Sequence, residues 1–170
     1  MCFNAVLDEK IITDASVEPV DVATFKMWAK IDYSEDDTII EPLIKSARRL
    51  LERKYNIGIV EKDYYAVVNN SCGMIDIPGA PIGTISTTGI TVVGSDNKFL
   101  KSPCGCEVVL EYKSGYPLAS VPEELKTAIM QQTLYMYENR GDVTTDPSDI
   151  SPQTQSIMKV YSRNTNGMFL

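Results

Sequence analysis

Twice along this chain the spacing of apolar residues changes. From Asp21 to Tyr55 they recur every three or four residues, from Tyr64 to Tyr112 they fall in short strand-like runs, and from Val121 the helical spacing returns. A stripe with a helical period cannot be buried by a strand, nor an alternating run by a helix, so this double switch restricts the chain to an α+β fold. The expected architecture is a small helical bundle of about four helices interrupted by an antiparallel strand block, with extended N- and C-terminal arms. With 170 residues the chain is long enough to bury a core without disulfide or metal staples.

Residues 1–20 mix short apolar pieces with acids and show no sustained period, which reads as an arm. Asp21 is an N-cap candidate for a short helix whose stripe is Val22, Phe25, Trp28 and Ala29. Ser34-Glu35-Asp36-Asp37 reads as a second helix start, with Ser34 as cap and Asp37 placed for a capping box. The stripe Ile39, Ile40, Leu43, Ile44, Ala47, Leu50 and Leu51 carries that helix to about Tyr55. Pro42 lies inside it, so either the helix kinks there or its regular part begins near Glu41. Asn56 and Gly58 are both available for the left-handed residue that ends it.

Strand-like runs follow at 64–68, 74–77, 82–85, 90–93 and 107–112, separated by turn residues, and read as a meander. Glu107–Tyr112, an apolar centre between acids, suits a central strand. Helix resumes at Val121-Pro122-Glu123-Glu124, its main face Leu125, Ala128, Ile129, Thr133 and Met136, and closes at Glu138-Asn139-Arg140-Gly141. After a polar linker, Pro152 opens a last short helix carrying Ile157, Val160 and Tyr161.

Several chemistries are poorly served by these residues. The chain contains no histidine, which removes the commonest general base, nucleophile partner and metal ligand. Asp/Glu pairs such as Asp36 with Asp37 read as a solvated helix start, so no catalytic residue is assigned and the chain is expected not to be an enzyme. Of four cysteines (Cys2, Cys72, Cys104, Cys106), two form Cys104-Gly105-Cys106, but paired Cys-x-x-Cys arms are missing; ordinary thiols, no metal and no cofactor are expected. Gly73, Gly79, Gly83 and Gly89 are spaced as turn residues, and no phosphate loop is present. No apolar run reaches bilayer length, and the first ten residues lack the basic start and apolar centre of a secretory signal, so neither a membrane partner nor export is expected.

Charge is unevenly placed. Residues 1–42 hold ten acids against three lysines, while the rest balance at 13 against 13, so the whole net charge of −7 arises in the first quarter. Such a balance disfavours a sequence-reading DNA binder. Within it, Asp32, Glu35, Asp36, Asp37 and Glu41 form an acidic run, and Lys45, Arg48, Arg49, Arg53 and Lys54 a basic one against Glu52 alone. Two such surfaces could pair head to tail between copies; the same distribution also suits the helix dipole, at about 0.3–1 kcal/mol per charge.

Two stretches carry a resemblance. Val22-Ala23-Thr24-Phe25-Lys26-Met27-Trp28-Ala29-Lys30-Ile31-Asp32, with Ser34-Glu35-Asp36-Asp37 and Ile39-Ile40-Glu41-Pro42-Leu43-Ile44-Lys45-Ser46-Ala47-Arg48, resembles the opening of the head-tail connector (adaptor) proteins of long-tailed bacteriophages. Leu110-Glu111-Tyr112-Lys113-Ser114-Gly115-Tyr116, then Val121–Ile129, then Leu134-Tyr135-Met136-Tyr137-Glu138-Asn139-Arg140, is similar to the strand, proline and closing helix of the same family. Pro42, the long N-terminal arm and residues 142–170 depart from the pattern.

The resemblance implies a non-enzymatic virion protein of the neck, assembled in the host cytoplasm. About a dozen copies would close into a ring under the portal. Its partners would be itself, the portal protein, the next neck or tail protein, and double-stranded DNA passing without sequence-specific binding. Another neck component (a stopper or tail-completion protein) and a non-virion regulatory protein are the alternatives. Residues 1–141 would form one adaptor domain, comprising an arm (1–20), helices (21–57), the strand block (58–116) and a helix (121–141). Residues 142–170 would supply a linker, a short helix and a tail whose apolar end, Met168-Phe169-Leu170, docks on the portal. The subunit interface would use Asp32, Glu35, Asp36, Asp37, Glu41, Lys45, Arg48, Arg49 and Arg53. Loops 78–81 and 86–89 are further contact candidates, with ordinary turns as the favoured reading.

Overall fold

A computed structural model describes residues 5–70, 74–77, 79–93, 99–101, 106–140 and 149–161. The chain divides into two compact units. The strand unit comprises residues 1–16 and 58–120, and the helical unit residues 17–57 and 121–170.

In the helical unit the expected helices form close to their expected bounds. Helix α1 spans Val22–Ala29, α2 Asp37–Tyr55, α3 Glu123–Glu138 and α4 Pro152–Tyr161. The Asp21 carboxylate caps α1 by accepting from Thr24 N at 2.6 Å, and Lys30 ends it at φ 57°. Only Phe25 of that stripe is fully buried, and Trp28 remains partly exposed. Helix α2 buries Ile40, Ile44, Ala47 and Leu51. Pro42 lies within it rather than ahead of its start. As the sixth helical residue it removes one early hydrogen bond, a milder defect than a proline at mid-helix. Asn56, at φ 53°, takes the left-handed position, and its N–H reaches Glu52 O.

Polar contacts hold α4 to α3. Gln132, fully buried, donates from Nε2 to Asp149 O at 2.9 Å and accepts from Ser151 N at 3.1 Å. Ser151 Oγ in turn accepts from Thr154 N at 3.2 Å, closing the first turn of α4. The inward residues here are Ile150, Thr154 and Met158, whereas Val160, one of the three apolar residues noted on this helix, is 83% exposed.

The strand unit departs more from expectation. The segment read as an arm contains strand β1, Ala5–Thr13. It is followed by β2 (Lys62–Asn70), β3 (Met74–Asp76), β4 (Ile82–Ile85), β5 (Thr91–Val93), β6 (Phe99–Lys101) and β7 (Cys106–Ser114). These form not a meander but two antiparallel sheets, one in the order β1-β2-β7-β4 and one in the order β3-β6-β5. Strand β7 is central, as its apolar middle suggested. Strand β1 escaped detection because register shifts between Val6 and Asp8 and between Ile11 and Thr13 break its alternation. Strand β6, three residues long, is too short to show a period.

Pairs across β2 and β7 fix which residues face inward. Tyr64 opposite Tyr112, Ala66 opposite Leu110 and Val68 opposite Val108 face the core, joined by Ile77, Ala80, Ile82 and Leu100. The two tyrosine rings stack at 5.4 Å. Where β7 ends, Gly115 at φ 107° passes so close to the backbone of Val60 that a Cβ would lie 2.9 Å from Glu61 N. Only glycine meets both demands without strain. Around it Gly115 N donates to Pro81 O at 2.8 Å and Glu61 N to Tyr116 O at 2.9 Å.

Candidate assembly interface

The acidic run opens α2. Asp36 is the N-cap, yet its carboxylate makes no cap hydrogen bond. Instead Asp36 Oδ2 accepts from Tyr137 Oη at 2.5 Å and from Arg140 Nη2 at 3.2 Å, both at the end of α3. The proton of Tyr137 is thereby used, so Tyr33 Oη donates to Tyr137 Oη across 2.7 Å. The Arg140 guanidinium lies 4.3 Å from the centre of the Tyr137 ring, a cation–π contact. The Tyr137 bond, then Arg140, holds the Asp36 carboxyl below the usual aspartate range. The same bond pushes the Tyr137 hydroxyl up, because ionisation would surrender the proton it donates to a carboxylate. This cluster clasps the α1–α2 connection to the end of α3, and it joins the two stretches of sequence that carried the family resemblance.

Asp37 is also engaged, 2.6 Å from Lys26 Nζ of α1. Two of the five acids assigned to a subunit interface are therefore held inside the helical unit. Asp32, Glu35 and Glu41 are exposed.

One basic residue leaves the interface set altogether. The Arg48 side chain is 0% exposed, bound by Glu18 (Nε–Oε2 2.6 Å, Nη2–Oε1 3.0 Å) and by Glu52 (Nη1–Oε2 2.7 Å). A guanidinium so enclosed cannot meet a neighbouring copy. Sequence reasoning placed it outward because arginine is normally exposed; the sole warning is its position between Ile44, Ala47 and Leu51, within the apolar stripe. Lys45, Arg49 and Arg53 are exposed. They follow one another at four-residue steps, forming a basic ridge about 12 Å long on the outer side of α2.

The strand unit offers a surface that sequence reasoning missed. On the face of the four-stranded sheet opposite the core, Asp63 stands beside Lys113, Tyr65 beside Glu111, Val67 beside Val109 and Asn69 beside Glu107. Strand β1 adds Asp8 next to Val67 and Lys10 next to Tyr65. Val109 is 48% exposed, and Asp8, Glu107 and Glu111 are exposed as well. Lys113 is paired with Glu61 at 2.8 Å. The detectable signal was the pair of acids Glu107 and Glu111 at either end of Val108-Val109-Leu110, which becomes a two-faced pattern only once the strand bounds are known.

Met168, Phe169 and Leu170, the expected docking tail, lie outside the described residues, as do Cys2, Cys72, Cys104 and Pro78. Cys106 is described by its backbone alone. In loop 86–89, Thr87 Oγ1 donates to Val109 O and accepts from Glu111 N, each at 3.2 Å, so that residue is tied to β7. Among the described residues, no three His, Cys, Asp or Glu side chains are grouped to hold a metal, and no helix is long and apolar enough to cross a membrane.

No protein-family model matches this chain, and no curated protein does. Solved structures match it nearly end to end. A chain from the neck of an empty gene transfer agent particle, computed with C6 symmetry, aligns with a TM-score of 0.75 at 14% identity, covering 95% of this chain and 99% of that one. A chain from the virion of the native gene transfer agent particle gives 0.75 at 14%, covering 94% and 98%. One from the neck of the native particle, computed with C12 symmetry, gives 0.62 at 13%, covering 93% and 98%. At these identities the likeness is one of fold.

Proposed function

We propose that this chain is a structural subunit of the neck of a phage-like particle, forming an oligomeric ring that joins the portal to the tail and encloses the DNA channel. The observation that carries the reading is the fold match over almost the full length of both chains, to proteins solved within particle necks. Resemblance to the adaptor family points the same way, and its two motifs meet in the Asp36–Tyr137–Arg140 clasp. A net charge of −7 suits a conduit, because a lumen without excess lysine and arginine lets DNA slide instead of gripping its phosphates. The work is geometric: the protein supplies edges to identical copies and to stacked neighbours, and transforms no substrate.

In this reading the ridge Lys45, Arg49 and Arg53 lies at the contact between adjacent copies, and Met168-Phe169-Leu170 reaches the portal. A ring built this way repeats one heterologous contact until it closes. Electron microscopy of the purified protein, alone and mixed with portal, tests the proposal. Rings, formed freely or on the portal, support it; a monomer that neither self-associates nor binds portal refutes it. Binding to a tail-side protein but not to portal would place the chain elsewhere in the neck. Deleting residues 166–170 should weaken attachment to the portal, and unchanged attachment would remove that part of the reading.

A further inference from the structure

The outer face of the four-stranded sheet is unusual for a surface left in water. A sheet solvated on one side normally alternates apolar inward with polar outward. Here the outward row at the middle of β2 and β7 is Tyr65, Val67 and Val109, the last 48% exposed. Acids surround that row: Asp8, Asp63, Glu107 and Glu111, against Lys10 and the Glu61-paired Lys113. The face is thus apolar at its centre and negative at its margin, the usual pattern of a surface meant to be covered.

The helical unit carries a complement. Lys45, Arg49 and Arg53 project from one line of α2, and the first and last are about 12 Å apart along the helix. On β7, Glu107 and Glu111 lie four residues apart, about 13 Å along an extended strand. Three cations at six-ångström steps would therefore span the two glutamates, with the middle one over the Val67–Val109 row. The stems of arginine and lysine, apolar along their length, could cover the exposed valine while their heads reach the acids. The acidic run of residues 32–41 is the weaker counterpart, because Asp36 and Asp37 are engaged within the helical unit and Glu41 stands one turn from Lys45 on the same ridge.

Resting on the ring reading, we propose that the occupant of this sheet face is a second copy of the chain. The α2 ridge of one subunit, Lys45, Arg49 and Arg53, lies on the outer sheet face of the next, meeting Glu107, Glu111 and Asp8. Such a contact joins two different surfaces and so propagates head to tail. It is also one that high salt should loosen, since most of its charges stand at a rim.

Charge swapping tests this. The variants E107K/E111K and R49E/R53E are each expected to lose rings, to a tenth or less of the wild-type fraction by mass photometry and electron microscopy, while keeping wild-type circular dichroism. Combining all four substitutions should restore assembly. Restoration supports the contact. Normal rings from E107K/E111K, or a combined variant no better than either parent, overturn it. A measurement free of mutations guards against misfolding: carbodiimide cross-linking of wild-type rings, read by mass spectrometry, should join Lys45 to Glu107 or Glu111 in rings and not in monomer. Linkage of Lys45 to Asp32 or Glu35 of another copy instead would overturn the sheet-face contact and assign the ridge to the acidic loop. In either overturning case wild-type rings still form, so the ring reading survives; if wild-type protein forms no rings with or without portal, both fall.

Discussion

The inward positions of the strand unit are almost wholly apolar: Tyr64, Ala66, Val68, Ile77, Ile82, Leu100, Leu110 and Tyr112, with Lys62 and Ser114 the buried polar residues among those described. The helical unit buries Arg48, Glu52, Gln132, Thr133, Ser151 and Thr154 alongside its aliphatic stripe. Apolar packing is non-directional and tolerates exchange at roughly constant volume. Buried ion pairs and amides are directional, and removing one partner strands the other. The helical unit should therefore be the more brittle of the two to single polar changes, and the strand unit sensitive chiefly where its backbone runs close to itself.

Trp28, the chain's single tryptophan, lies in α1, so its fluorescence follows the helical unit, while hydrogen exchange at the β2 and β7 amides follows the strand unit. The largest effect is expected from Arg48→Ala, which leaves Glu52, 7% exposed, beside Glu18 without its cation; about 3–5 kcal/mol of stability should be lost in denaturant titrations read at Trp28. Arg48→Met with Glu52→Leu should recover most of it. Should Arg48→Ala unfold no more easily than wild type, the contrast between the units fails.

Next comes Gly115→Ala, expected to cost about 2–3 kcal/mol because φ 107° and the nearby Val60 backbone both oppose a side chain. Faster exchange at β7 amides than at α3 amides would locate the loss in the strand unit. Asp21→Ala, which removes the α1 cap, should cost about 1 kcal/mol, visible at Trp28.

The smallest change expected is from Tyr137→Phe, and its value lies in its pH dependence. The folded state holds the Asp36 carboxyl below the ordinary 3.8, first through Tyr137, so that stabilisation is complete above this value and is lost as pH falls through the depressed one. The stability gap between wild type and Tyr137→Phe should therefore be constant from pH 7 to 5 and close below about pH 3.8. A gap that persists at lower pH would mean that the hydroxyl acts through Tyr33 and not through Asp36.

Much of this molecule is legible along the chain, for reasons visible in particular residues. Helices α1 to α3 follow from their apolar periods and from Asp21 and the Glu123–Glu124 start, and β4 falls at its expected bounds. Strand β1 was hidden by its register shifts, and the joining of β2 to β7 instead of β3 by the 35 residues between them. The interface was half legible. Exposed Lys45, Arg49 and Arg53 follow from a helical repeat, whereas the burial of Arg48 depends on Glu18, 30 residues away, and the diversion of Asp36 on Tyr137, 101 residues away.

Local chemistry thus determined the four helices and most of the strands, where α2 stops, and how the net charge is distributed, because propensity, capping and periodicity act over a few residues. Tertiary structure alone decided the strand order, the face of α4 that is buried, the fate of each charge in the acidic and basic runs, and the creation of an acid-rimmed sheet face. Those depend on pairings between distant segments. A charged side chain carries no mark of whether it will meet water, a partner within its own unit, or a neighbouring copy until the backbone has brought its surroundings together.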